Sequence, residues 1–278
     1  MAHIEARIET VHKLSTVISA MRGIAAARVA EAHDHLDSIR RYAATIGAGI
    51  GTLLAGDGAP PAAHGTDAAG PGRPVIIMIG AEQGFAGGYN DRILTRAAPL
   101  LTPDATLLAI GDRARLALAE RGTPADWDRP MIAHPAQATA LAGRIGAELF
   151  ARLSAGGGRP VWMVHARPGA GEGAEARPLF PFDYARFPAP RTATPPLRTL
   201  PSDLLLARLV EEYVLAELGE AIMLAFAAEN EARMRAMIAA HDNVAASLGE
   251  LVATARRLRQ DEITGEIVEL ASSGLPGR

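Results

Sequence analysis

Residues 3–54 read HIEARIETVHKLSTVISAMRGIAAARVAEAHDHLDSIRRYAATIGAGIGTLL. This stretch has no proline and places Ile4, Val11, Ile18, Ala25, Ala32, Ile39, Ile46 and Leu53 at every seventh position. Leu14, Met21 and Tyr42 stand three places after members of that series, and Ile8, Val29, Leu36 and Ile50 four places after. A seven-residue spacing keeps one seam of an α-helix turned toward a partner helix over many turns. The flanking residues widen the seam into a stripe. The stretch predicts one helix of roughly 75 Å. Near the other end of the chain, Leu209, Ala216, Met223, Asn230, Met237, Val244, Leu251 and Leu258 repeat the spacing with one polar member. The two segments predict an antiparallel pair of terminal helices.

The second helix opens at Ser202, an N-cap residue followed by the acidic Asp203, as helix starts favour. It runs to about Ala271, with Gly274 and Pro276 as terminators, which is about 105 Å. If both helices start level at the centre of the chain, residue 4 falls near residue 251. About 20 residues, or some 30 Å, then extend past the pair. That tip carries Val252, Leu258, Ile263, Ile267, Val268 and Leu270. An apolar helix without an intramolecular partner needs cover from another molecule, so deletion of 252–278 is expected to weaken assembly or force transmission and to spare the middle of the chain.

Between the helices the texture changes. Residues 55–74, AGDGAPPAAHGTDAAGPGRP, have the composition of a flexible linker. A short β-branched run at 75–79 predicts a buried strand, followed by helix over 91–101, strand over 106–110, helices over 113–121 and 137–155, and strand over 160–166. The proline-rich run from Pro178 to Pro201, with Pro188, Pro190, Pro195 and Pro196, holds one extended strand and a connector. Alternating strands and helices predict a small parallel α/β layer. The expected organisation is a coiled-coil helix over 1–54, a linker over 55–74, a central Rossmann-like α/β domain over 75–201 and a second coiled-coil helix over 202–278. The fold class is mixed α+β and α/β.

The loop Gly80-Ala-Glu-Gln-Gly84-Phe-Ala-Gly87-Gly88-Tyr-Asn90 lies between a strand and a helix, the setting of a phosphate cradle. Its glycine spacing does not match the dinucleotide fingerprint, and Asp112 lies farther along than a ribose-binding acidic residue should. Tight-turn packing or docking is the better reading of it. All but one of the 28 basic residues are arginine, and Lys13, the one lysine, is remote from any glycine-rich loop. A P-loop needs its lysine, so no such site is expected. His33 and His35 are two apart on a helix and point to nearly opposite sides. Glu148, Glu172 and Glu175 offer carboxylates that nothing in the sequence orders. The chain has no cysteine and a net charge of −3, which removes thiol chemistry and gives no electrostatic case for nucleic acid. Apolar runs at 75–81 and 221–228 are far shorter than the roughly 20 residues a membrane span needs. Glu5, Arg7 and Glu9 replace the apolar run of a signal peptide. No direct membrane insertion is expected. Arg22 and Arg28 on the first helix, and Arg256, Arg257 and Arg259 on the second, are expected to be brought to one end of the pair.

Three readings follow. The chain is a shaft in a larger assembly, a Rossmann-like nucleotide-binding module with a helical dimerisation arm, or a self-associating coiled-coil adaptor. Several motifs favour the first. His3-Ile-Glu-Ala-Arg-Ile8, Ile18-Ser-Ala-Met21, Ala25-Ala-Ala-Arg28, Gly84-Phe-Ala-Gly87-Gly88-Tyr-Asn90, Glu229-Asn-Glu-Ala-Arg233-Met234-Arg-Ala-Met237 and Arg259-Gln260-Asp-Glu-Ile263-Thr264-Gly-Glu266-Ile267 occur in this order. Together they resemble the γ subunit of the rotary F-type ATP synthase over most of the chain. The resemblance implies a rotor whose paired helices turn inside a hexamer of α and β subunits, with the α/β domain near the ε subunit and the ring of c subunits. It implies shaft–hexamer contacts at Met21, Arg22, Arg259, Gln260 and Thr264. No catalytic residue, cofactor or metal is implied, because catalysis belongs to α and β. The implied location is peripheral, at the cytoplasmic face of a bacterial inner membrane. Ser19 stands where the family usually has lysine, Gly23 where it has methionine, and Gln83-Gly-Phe-Ala86 where it has an Arg-Gly-Leu-Cys type turn. These departures mark a divergent bacterial form, whose coupling ion is set by membrane subunits.

Overall fold

The computed structural model describes residues 2–57, 73–156, 159–169, 173–187 and 197–273. Most of the 55–74 linker lies outside these, as do Pro188, Pro190, Pro195, Pro196, Glu172, Gly274 and Pro276. Helix α1 spans Ala2–Asp57 and α5 spans Ser202–Ser273. Between them lie β1 (Val75–Ile79), α2 (Tyr89–Ala97), β2 (Thr106–Ile110), α3 (Asp112–Glu120), β3 (Trp127–Arg129), α4 (Ala138–Gly156), β4 (Val161–Ala166) and β5 (Ala174–Phe180). The residues group into two compact units. One is Ala26–Ala232, and the other joins Met1–Ala25 to Arg233–Arg278.

In the larger unit the sheet order is β3-β2-β1-β4-β5. β1 pairs in parallel with β2 (Val75 opposite Thr106) and with β4 (Val75 opposite Val161), and β2 pairs in parallel with β3. β5 is an antiparallel edge on β4, with Ala166 opposite Ala174. The central VIIMI of β1 is buried at every position, as a strand covered on both faces must be. Helix α4 buries Ala138, Leu141, Ala142, Ile145 and Leu149, one helical stripe. Residues 221–230 of α5 are all buried. A helix stretch that is buried all round lies inside a core, and its alanines allow that close approach.

α1 and α5 pair antiparallel within this unit. Gly49 faces Leu209 and Gly219 faces Ile39. Arg40 Nε donates to Glu220 Oε1 at 2.8 Å, and Tyr42 OH donates to Glu212 Oε2 at 2.8 Å. That hydrogen bond holds the Tyr42 phenol above its ordinary pKa. Phe182 stacks on Phe187 at 5.6 Å and meets the edge of Tyr213 at 5.8 Å. Beside them Glu217, 3% exposed, accepts from Arg186 Nη2 at 2.6 Å and pairs with Arg177 Nη1 at 3.4 Å. Removing one member of a buried ion cluster strands its partners, yet both arginines are about a third exposed and can turn toward water. Glu217→Ala is therefore expected to cost about 2 kcal/mol in urea unfolding, and a change below a few tenths would show the cluster to be inert.

In the smaller unit, Arg259 Nη2 donates to Glu5 Oε1 at 3.2 Å. The sequence placed residue 4 near residue 251 and the unpaired end from 252, whereas the end that is exposed throughout begins at residue 256. α1 continues to Asp57, beyond its expected end, and the long Arg and Glu side chains reach along the helices. Val252 is half-buried and does not belong to the exposed tip, whereas residues 256–270 are all exposed. Among the described residues, no helix is long and apolar enough to cross a membrane.

Candidate functional site

The strand order turns at β1. β2 and β3 lie to one side of it and β4 to the other, and in such sheets ligands enter the crevice beyond the carboxyl ends of the strands at the turn. Here that crevice is filled by α5. The loop after β1 sends Glu82 N to Glu229 Oε2 at 3.1 Å and Gln83 N to Glu229 Oε1 at 3.3 Å. The loop after β4 sends Gly169 N to Glu231 Oε2 at 2.8 Å. Tyr89 OH, at the start of α2, donates to Ala225 O at 3.1 Å. Glu82 in turn accepts from Asp112 N at 3.0 Å and Met131 N at 2.8 Å, and Ala81 N donates to Asn90 Oδ1 at 2.9 Å.

The loop is thus a cradle of backbone donors whose anion comes from the chain itself. Glu229 is 4% exposed, so its desolvation is offset by charge-assisted hydrogen bonds of about 1.5–3 kcal/mol each. Asp112 is tied into the same closed loop. Titration of the full chain with ATP, NAD or inorganic phosphate is expected to give no saturable heat at millimolar ligand. Stoichiometric binding would show that Glu229 can be displaced.

The other candidate residues are dispersed or paired. His33 and His35 are exposed, each with its ring nitrogen on a carbonyl four residues back. Glu148 pairs with Arg152 at 2.6 Å. Glu175 lies 3.3 Å from Arg167 and 3.2 Å from His165. His165 is 1% exposed, and burial lowers its pKa. Among the described residues no cluster of three or more His, Asp or Glu side chains is placed to hold a metal.

In the smaller unit, Met21 is half-buried and Arg22 exposed, while Arg259, Gln260 and Thr264 are all exposed. Thr264 Oγ1 donates to Gln260 O at 2.8 Å. The Arg259–Glu5 pair is open to solvent on both sides and is worth about 0–1 kcal/mol. Arg259 reaches Glu5, and Arg22 lies farther along α1 by about 25 Å. Ser19 is exposed, and a side chain at Gly23 would meet nothing within 4 Å. One surface was read only in part from the sequence, which took Leu14 and Met21 as flanks of the paired stripe. Leu14, Val17 and Ile24 are 48%, 54% and 56% exposed, and with Met21 they form a second apolar seam on α1, beside the buried one. Its signal was the 3-4-3 spacing. On α5, Ile263, Ile267 and Leu270 make a similar seam, 50%, 60% and 71% exposed.

A sheet with its crevice filled by a terminal helix, and long terminal helices with exposed apolar seams, define the class as an α/β core carried on a helical pair. The comparisons make the class specific. Residues 1–274 match the family model described as ATP synthase, and the chain belongs to that family. A γ chain of ATP synthase from Parafrankia sp. is 29% identical over 284 residues, covering 95% of this chain and 93% of that one. The γ chain of Fuscovulum blasticum is 27% identical, covering 96% and 95%. The fold is similar to a chain in the rotor of Euglena gracilis mitochondrial ATP synthase, with a TM-score of 0.61 at 13% identity, covering 94% of this chain and 98% of that one. It is also similar to a chain in the central stalk and c-ring structure of the Tetrahymena thermophila enzyme, with a TM-score of 0.53 at 17% identity, covering 81% and 99%.

Proposed function

We propose that the chain is the central-stalk rotor, or γ, subunit of an F-type ATP synthase and carries torque between a membrane ion-driven ring and a catalytic hexamer. The observation that carries this reading is the family match over 1–274, which takes in both terminal helices and the α/β unit between them. In this reading the subunit is itself non-catalytic. Its partners are the α and β subunits of the hexamer, the ε subunit and the c-subunit ring, and it is peripheral at the cytoplasmic face of a bacterial inner membrane. The helices over 1–54 and 202–278 form the shaft, 75–201 the α/β domain, and 55–74 the linker. Met21, Arg22, Arg259, Gln260 and Thr264 are the contacts with the hexamer.

The exposed apolar seams on α1 and α5 support this assignment, because large exposed apolar surface marks an interaction site. The occupied crevice speaks against a nucleotide-binding module. Purification of the tagged chain from its native cells, followed by native mass spectrometry, tests the proposal. One copy of this chain with three copies each of two larger ATPase subunits is the expected result. A homodimer that carries nucleotide would overturn it.

A further inference from the structure

We infer that Glu229 and Glu231 turn the crevice of the sheet into a torque-carrying joint between the α/β unit and α5. This inference rests on the rotor reading, in which a twisting load must pass between these two elements. Apolar burial resists pulling the helix out of the core, but it is non-directional and resists turning poorly. The stretch of α5 inside the core mixes Ala221, Ala225, Ala227 and Ala228 with Ile222, Met223, Leu224 and Phe226, all buried, and the larger side chains add steric resistance of their own.

Directional resistance must come from groups with preferred angles and short distances, and hydrogen bonds to carboxylates are the strongest available. Glu229 and Glu231 are two residues apart on a helix, so their side chains leave the axis about 200° apart. One holds the Glu82 and Gln83 amides at the end of β1, and the other holds the Gly169 amide beyond β4. Tethers on opposite sides of an axis form a couple, so rotation of α5 in either sense stretches at least one. The position of the joint matters too. It lies at the two strands where the strand order turns, so load enters the middle of the sheet and not an edge. The backbone donors that other sheets of this kind offer to a phosphate are used here to hold a shaft.

The test uses the assembled enzyme in inverted membrane vesicles, with ATP-driven ion pumping and ATP hydrolysis measured together. Glu229→Gln keeps side-chain shape but replaces one of two accepting oxygens with an amide NH2 that faces a backbone donor, and Glu231→Ala removes the acceptor of the Gly169 amide. The ratio of pumping to hydrolysis is expected to fall about twofold in each single variant, and about fourfold in the double variant if the tethers act independently. The amount of assembled complex should fall far less. A merely structural role would lower yield and leave the ratio per assembled enzyme unchanged, and that outcome overturns the inference.

Hydrogen exchange on the unmodified full chain provides a readout that needs no variant to fold. The Glu82, Gln83 and Gly169 amides should be protected to the level of the sheet, and fast exchange at these sites would overturn the joint. A wild-type chain that never enters a hexamer, with those amides still protected, would instead sink the rotor reading on which the joint depends.

Discussion

Removal of residues 260–278 is expected to lower coupled ATP synthesis about tenfold or more and to leave thermal unfolding of the α/β unit unchanged. The cut keeps Arg259 and its contact with Glu5. It removes Gln260, Thr264 and the exposed seam of Ile263, Ile267 and Leu270, which are 50%, 60% and 71% exposed. Fully covering each such side chain is worth about 1.5–3 kcal/mol. Part of that gain is spent on fixing the helix, but a loss of 1.4 kcal/mol is already a tenfold change. The deletion of 252–278 suggested by the sequence is less clean, because Leu251 and Val252 are half-buried, so a cut there would disturb the smaller unit as well as its exposed end. The measurement is ATP synthesis by energised vesicles reconstituted with the truncated chain, normalised to assembled hexamer. Undiminished synthesis would show that the seam is not a contact with the hexamer.

The long helices were legible because periodicity accumulates over many turns. The expected 3–54 became Ala2–Asp57, and the expected helix from Ser202 to about Ala271 became Ser202–Ser273. β1 and β2 fell where their β-branched and leucine runs placed them. β3 did not stand out, because Trp127–Arg129 is a three-residue strand ending in Asp and Arg, too short for any period. β5 lies at Ala174–Phe180, largely ahead of the proline-rich run in which a strand was expected. Its sequence AEARPLF carries two charges and Pro178, which an edge strand tolerates because one side of its backbone is unpaired.

The candidate site shows a different limit. The strand-loop-helix setting singled out 80–90, with tight-turn packing or docking preferred over a phosphate cradle, and the loop's backbone donors hold a carboxylate of the chain itself. Its anion, Glu229, lies 146 residues beyond Gln83 in the chain, and no local spacing can announce a partner at that distance. The Glu5–Arg259 pair escaped for a related reason. Heptads specify which face pairs but leave the axial offset open, because a slide by whole heptads preserves the seam.

Gly111→Ala is expected to destabilise the α/β unit by about 3–5 kcal/mol, a large share of the roughly 5–15 kcal/mol that holds a typical domain together. Gly111 follows β2 with φ near 100°, where a side chain is strained whatever the space around it. The space is also absent, since an added Cβ would lie 2.7 Å from both the Gly80 and Ala81 carbonyl oxygens. Those oxygens cannot retreat freely. Ala81 O accepts from Arg113 N at 3.1 Å and Ala114 N at 3.3 Å, which anchors the start of α3. The next residue in the loop, Glu82, gives its amide to Glu229 and takes those of Asp112 and Met131. Any shift that relieves the new methyl therefore loosens α3 and the crevice together. Gly143→Ala is the matched control. It lies in α4 with nothing within 4 Å of an added Cβ, and should stabilise by about 0.5–1 kcal/mol. Urea unfolding of both variants separates the two effects by sign. A loss below about 1 kcal/mol at Gly111 would mean that the loop yields easily. A loop that yields could not hold Glu229 firmly enough to pass torque to the sheet.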